Sequence, residues 1–82
     1  MASSQKIPDR LGKKLQELRN SRSYSLAEMA DFLSDDVAWI VKQDVFRYER
    51  SQTAPSLIIL LRYARIFNVK MEVLADDELE LP

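Results

Sequence analysis

Leucines recur at helical spacing near the start of the chain. Leu11, Leu15 and Leu18 stand at i, i+4 and i+7, which puts them on one face of a helix. Pro8 suits a first helical turn, and Asp9 lies where the helix dipole favours an acid. This first helix is therefore expected to begin near Pro8 and to stop at Asn20-Ser21-Arg22-Ser23. Gly12 inside it costs about 1 kcal/mol relative to alanine, an expense that makes sense if another helix approaches closely. The second helix has the clearest start: Ser25-Leu26-Ala27-Glu28 is a capping box, with Leu26, Met29, Ala30 and Leu33 as its stripe.

The apolar run Val37-Ala38-Trp39-Ile40-Val41 follows a polar break at Ser34-Asp35-Asp36. A third helix is expected over 42–51, with Val41, Val45 and Tyr48 inward and Gln43 and Arg47 one turn apart on the opposite side. The fourth begins at the N-cap Ser56, just after Pro55, with Leu57, Leu60, Leu61, Ala64 and Phe67 as its core stripe and Asn68 as its stop. Ile59, Tyr63 and Ile66 give it a second apolar face, read either as a homodimer surface or as a seat for the last helix and the Leu79-Glu80-Leu81 tail folded back over it. A short last helix spans Met71 to Leu74. The expectation is an all-α, compact five-helix domain over 8–75, a lead-in at 1–7 and an acidic tail at 76–82.

Composition narrows the function classes. The 82 residues allow one small domain, and 46% apolar content suffices for its core. With no histidine and no cysteine, no glycine-rich phosphate loop, and acids paired only as Asp35-Asp36 and Asp76-Asp77, the residues do not suggest an enzyme. No cofactor or metal is expected: disulfides and ordinary zinc sites are excluded, and such acid pairs alone give too few oxygens for Mg²⁺ or Ca²⁺. No apolar run reaches the roughly 18 residues of a membrane span. Residues 1–6 lack a signal peptide's hydrophobic region, and the absence of cysteine fits a reducing cytoplasm. A net charge of −1 weighs mildly against nucleic acid, but the charges fall in blocks. Residues 1–25 carry six bases against two acids, 26–49 two against six, 50–70 four against none, and 71–82 none against five.

From Leu11 to Leu74, about four-fifths of the chain, the sequence resembles the Cro and lambda-repressor class of helix-turn-helix domains, the xenobiotic-response-element family. The resemblance lies in Leu11-Gly12, Leu15, Leu18-Arg19, Ser25-Leu26-Ala27-Glu28-Met29-Ala30, Val45-Phe46-Arg47-Tyr48-Glu49-Arg50, Ala54-Pro55-Ser56-Leu57, Leu60-Leu61, Ala64 and Val69 with Leu74. It implies a transcriptional regulator bound to double-stranded DNA as a homodimer, its third helix in the major groove. Gln43, Arg47, Lys42 and Asp44 are then the base readers, while Ser25, Arg50, Gln52 and Thr53 would meet the backbone. The same pattern pairs Arg19 with Glu49 as an architectural ion pair. The competing function is a protein-interaction module, antitoxin-like or a co-regulator, that kept the fold without DNA affinity.

The chain departs from the family in two places. Residues 34–38 (Ser34-Asp35-Asp36-Val37-Ala38) are an insertion of about five residues that extends the turn between the second and third helices. Trp39 and Ile40 are expected to plug this turn into the core, the alternative being an exposed Trp39 that contacts DNA or a partner. Phe46 stands at an outward position, where it would either touch a thymine methyl or be covered by the inserted turn.

Overall fold

The computed structural model describes residues 7–82, and residues 1–6 of the expected lead-in lie outside them. Ile7, the last residue of that lead-in, packs against the core. Five helices follow in order: α1 (Leu11–Ser21), α2 (Leu26–Leu33), α3 (Lys42–Glu49), α4 (Leu57–Phe67) and α5 (Met71–Ala75). The expected all-α, five-helix architecture with its extended turn is the observed one. α1 packs against α3 and α5, α2 against α3 and α4, and α4 against α5, around a single core.

α1 starts later than Pro8 suggests, because its cap comes from far along the chain. Its N-cap residue, Arg10, provides no side-chain cap. The Asp77 carboxylate instead accepts from the N–H groups of Asp9 and Arg10, both at 2.9 Å. A carboxylate there satisfies amides that a helix start leaves without partners and complements the helix dipole. These N–H bonds, the one from Arg10 foremost, hold the Asp77 carboxyl below the usual carboxylate range. Arg10 also reaches the Asp77 carbonyl at 2.6 Å and Glu80 at 2.8 Å. Buried Lys14 donates to Val73 O and Asp76 O at the end of α5. The acidic ending thus lies along α1 and meets part of its positive charge.

The Ser25 capping box forms as read, at 3.0 Å for Glu28 N–H to Ser25 Oγ and 2.8 Å for the reciprocal bond. Ser56 caps α4 through the Ile59 N–H, and Asn68 ends it in the left-handed conformation at φ 55°. At Gly12 α1 comes close against the end of α3: a Cβ there would lie 2.6 Å from Glu49 O and 2.9 Å from Tyr48 O.

α4 corrects the assignment of its faces. Ile59 and Tyr63, read either as a dimer surface or as a face covered within the chain, are buried together with Leu60, Ala64 and Phe67. Leu57, expected in the core, is 72% exposed and Ile58 stands beside it in solvent. The buried arc is i, i+1, i+4, i+5, i+8, and periodicity cannot locate it in a helix whose first five residues are all apolar. Ile66 is half-buried against the core, so the proposed second face is closed within one chain. The Tyr63 hydroxyl is buried without a hydrogen-bond partner among the described residues, and burial pushes its pKa up.

Candidate nucleic-acid interface

Two elements hold α3 in place. On its inner side Val45 and Tyr48 enter the core. Glu49 forms a two-pronged pair with Arg19 of α1: Nε to Oε2 at 2.6 Å and Nη2 to Oε1 at 2.9 Å. The two side chains are only 14% and 4% exposed. Hydrogen bonding to Glu49 raises the Arg19 pKa against the cost of burial, and a third bond, from Nη1 to Tyr24 O at 2.8 Å, fixes the guanidinium plane. The pair expected from the resemblance is thus present as a buried fork that ties the end of α3 to α1.

On its outer side α3 exposes Lys42, Gln43, Phe46 and Arg47, the arc opposite its buried residues, and its C-cap residue Arg50 is exposed as well. Gln43 and Arg47 are neighbours at i, i+4. Phe46 is not covered by the inserted turn: it stays exposed and carries the Arg50 guanidinium 5.2 Å above its ring. Gln52 and Thr53 are exposed in the loop after α3, and Ser25 is exposed at the start of α2.

Asp44 sits differently from the other expected readers. It is half-buried, and its Oδ2 accepts from the Val41 N–H at 3.0 Å, which caps α3. Its Oδ1 lies 3.4 Å from Arg47 Nη1, a long contact for a half-exposed pair and so a weak one. Asp44 is therefore largely committed to the helix start, while Arg47 stays free to reach outward.

The extended turn overturns one expectation. Trp39 does not plug the core; it is 82% exposed, and Val37 is 91% exposed. Ala38 and Ile40 are the residues packed against the core. Residues 38–41 lead without helix into the extended N-cap Val41, and burial alternates along them, so Trp39 and Val41 face out. The sequence carried no signal for this alternation, because residues 37–41 are all apolar, and Val41, expected inward as part of the α3 stripe, is 40% exposed.

This turn is held from several sides. Asp35 Oδ1 accepts from Val37 N–H and Ala38 N–H, both at 2.8 Å. Ser34 Oγ accepts from Ile40 N–H at 2.8 Å and stands beside the carbonyls of Ala30 and Ile40, one of which takes its proton. Arg62 of α4 donates to Leu33 O at 2.7 Å and pairs with Asp35. Bonds from Ala38 and Val37 hold the Asp35 carboxyl below the usual carboxylate range.

Neither a protein-family model nor a curated protein sequence matches the chain. Among solved structures, it is similar to the P22 c2 repressor protein, crystallised in complex with synthetic operator 9T in the presence of Tl⁺. The TM-score is 0.71 at 16% identity, over 90% of this chain and 98% of that one. The two share a fold. α2, the turn and α3 form its helix-turn-helix. Among the described residues, no helix is long and apolar enough to cross a membrane.

Proposed function

We propose that the chain is a sequence-specific, DNA-binding transcriptional regulator whose α3 reads the major groove. The observation that carries this reading is the pair Gln43 and Arg47: adjacent, exposed, and mounted on a helix whose opposite side is locked by the buried Arg19–Glu49 fork. Gln43 matches adenine N6 and N7, and Arg47 matches guanine O6 and N7. Lys42 supplies a phosphate or guanine contact. Asp44, already capping α3, acts by tilting the choice of base near Arg47 more than by binding one.

Backbone contacts fall to Arg50, Gln52 and Thr53, and to the start of α2. There the Ser25 and Glu28 amides are occupied by the capping box, so the Leu26 and Ala27 amides are the donors aimed at phosphate. Regulators that read palindromic half-sites bind as symmetric dimers. With Ile59 and Tyr63 buried, the α4 residues left for a second copy are Leu57 and Ile58. The second reading, an interaction module without DNA affinity, draws on the net charge of −1 and on the exposed apolar residues of the turn.

Selection of duplexes from a random pool tests the first reading. The wild type should recover a defined half-site, Arg47→Ala should bind without sequence preference, and Lys42→Ala should weaken binding to all sequences. Recovery of the same half-site by Arg47→Ala would remove that residue as a reader.

A further inference from the structure

We infer that Trp39 is a DNA-contacting residue, placed by the inserted turn beside the start of α3 to touch an apolar part of the nucleic acid. This rests on the DNA-binding reading above. Trp39, Ile40 and Val41 line one cleft of about 340 Å³ together with Lys42 and Gln43. The indole therefore borders the same surface as two of the residues assigned to the groove. It is 82% exposed on a turn that is internally hydrogen-bonded and anchored to α2 and α4, so its direction is built in and is not that of a loose loop. Val37, Trp39 and Val41, three apolar residues within five positions, are all exposed, and clustered exposure of this kind marks a contact surface.

The charges around the indole select what it meets. Asp31 lines the cleft and Asp36 is exposed in the turn, which opposes a phosphate at the indole itself, while Lys42 in the same cleft keeps its phosphate contact on the α3 side. Asp35 is partly neutralised by Arg62. The surfaces that remain are a deoxyribose face or a thymine methyl, both apolar and uncharged. A contact of this kind adds affinity without releasing counterions, so it should leave the salt dependence alone. A protein seated in the cleft would instead cover Lys42 and Gln43 and compete with DNA.

Trp39 is the sole tryptophan, so its emission reports on this one place. The probes are the labelled duplex recovered by the selection and a random-sequence duplex of equal length. Anisotropy of the label reports binding, and indole emission reports contact. The selected duplex should shift or quench Trp39 emission in step with anisotropy. Trp39→Ala should bind it roughly tenfold more weakly, the scale of one aromatic contact to a nucleotide, with an unchanged salt slope and unchanged thermal unfolding. Trp39→Phe should restore most of the loss. Anisotropic binding with steady emission and a Trp39→Ala affinity equal to wild type overturns the inference and leaves the DNA-binding reading standing. An absence of salt-sensitive binding to either duplex overturns both. Trp39 emission that changes with protein concentration alone, and reverts when DNA is added, would assign the patch to a second copy and overturn the inference.

Discussion

Gly12→Ala sets helix propensity against packing, and the two effects have opposite signs. In an isolated helix the change should stabilise by about 1 kcal/mol. Here the new Cβ would stand 2.6 Å from Glu49 O, 2.7 Å from Ser51 Oγ and 2.9 Å from Tyr48 O. Restoring ordinary contact requires α1 and the end of α3 to separate by roughly 0.8 Å at the closest point. Two of the three atoms are backbone carbonyls that no rotamer change can move. Overpacking of this kind costs about 1–3 kcal/mol, and with two immovable carbonyls under 3 Å away the upper part of that range applies, so the net expectation is a loss of about 1–2 kcal/mol. In a domain of this size each kcal/mol corresponds to roughly 4–8 °C in Tm. Thermal unfolding followed by circular dichroism reads the outcome, with Gln16→Ala on the exposed side of α1 as a control that should be neutral or slightly stabilising. A Gly12→Ala protein that melts at or above the wild-type temperature would refute the close-approach argument.

Other consequences follow from the same geometry. Glu49→Leu leaves the Arg19 guanidinium buried without its carboxylate and should cost about 3–5 kcal/mol, much of it recovered in the double variant with Arg19→Met; additivity in the denaturant-unfolding cycle would show that the two do not act as a pair. Tyr63→Phe removes a buried hydroxyl that has no partner among the described residues and should leave stability unchanged or raise it by about 1 kcal/mol in urea unfolding; a clear loss would mean that the hydroxyl is satisfied. Asp35 and Asp77 have carboxyls held below their ordinary value by backbone N–H groups. Their contribution is therefore present above the unfolded-state value of about pH 4 and is lost as pH falls through the lower folded-state value. Asp77→Asn and Asp35→Asn should each destabilise at neutral pH and converge on the wild type in strong acid; parallel stability curves would contradict this.

The features legible in the sequence were those set by local chemistry. The Ser25–Glu28 box, the Ser56 cap and the Asn68 stop each depend on residues a few positions apart, and each formed where it was read. Gly12 was readable as a close approach because its helical cost needed a reason. What stayed hidden depended on distant partners or on orientation. Pro8 pointed to an earlier start for α1, but the cap at Asp9 and Arg10 is Asp77, nearly the whole chain away. In α4, apolar residues on almost every side gave the right element but placed Leu57 in the core and left Ile59 and Tyr63 open between a dimer surface and a covered face, whereas Leu57 is exposed and both others lie inside. At Trp39 a bulky apolar residue suggested burial, whereas the non-helical segment leading into α3 alternates in burial and leaves it in solvent. For the site, family resemblance supplied Gln43 and Arg47 and the Arg19–Glu49 pair, but not the capping role of Asp44 or the cover that Arg50 gives Phe46.

The central claim is that the exposed side of α3 binds duplex DNA through positive charge and base contacts. The most direct test is fluorescence anisotropy of a labelled duplex titrated with wild type and with Lys42→Ala across a series of salt concentrations. Binding should weaken linearly in log–log form as salt rises, and Lys42→Ala should flatten the slope by about 0.9, the value for one phosphate contact. Failure to bind at low salt, or affinity that ignores salt, would contradict the account.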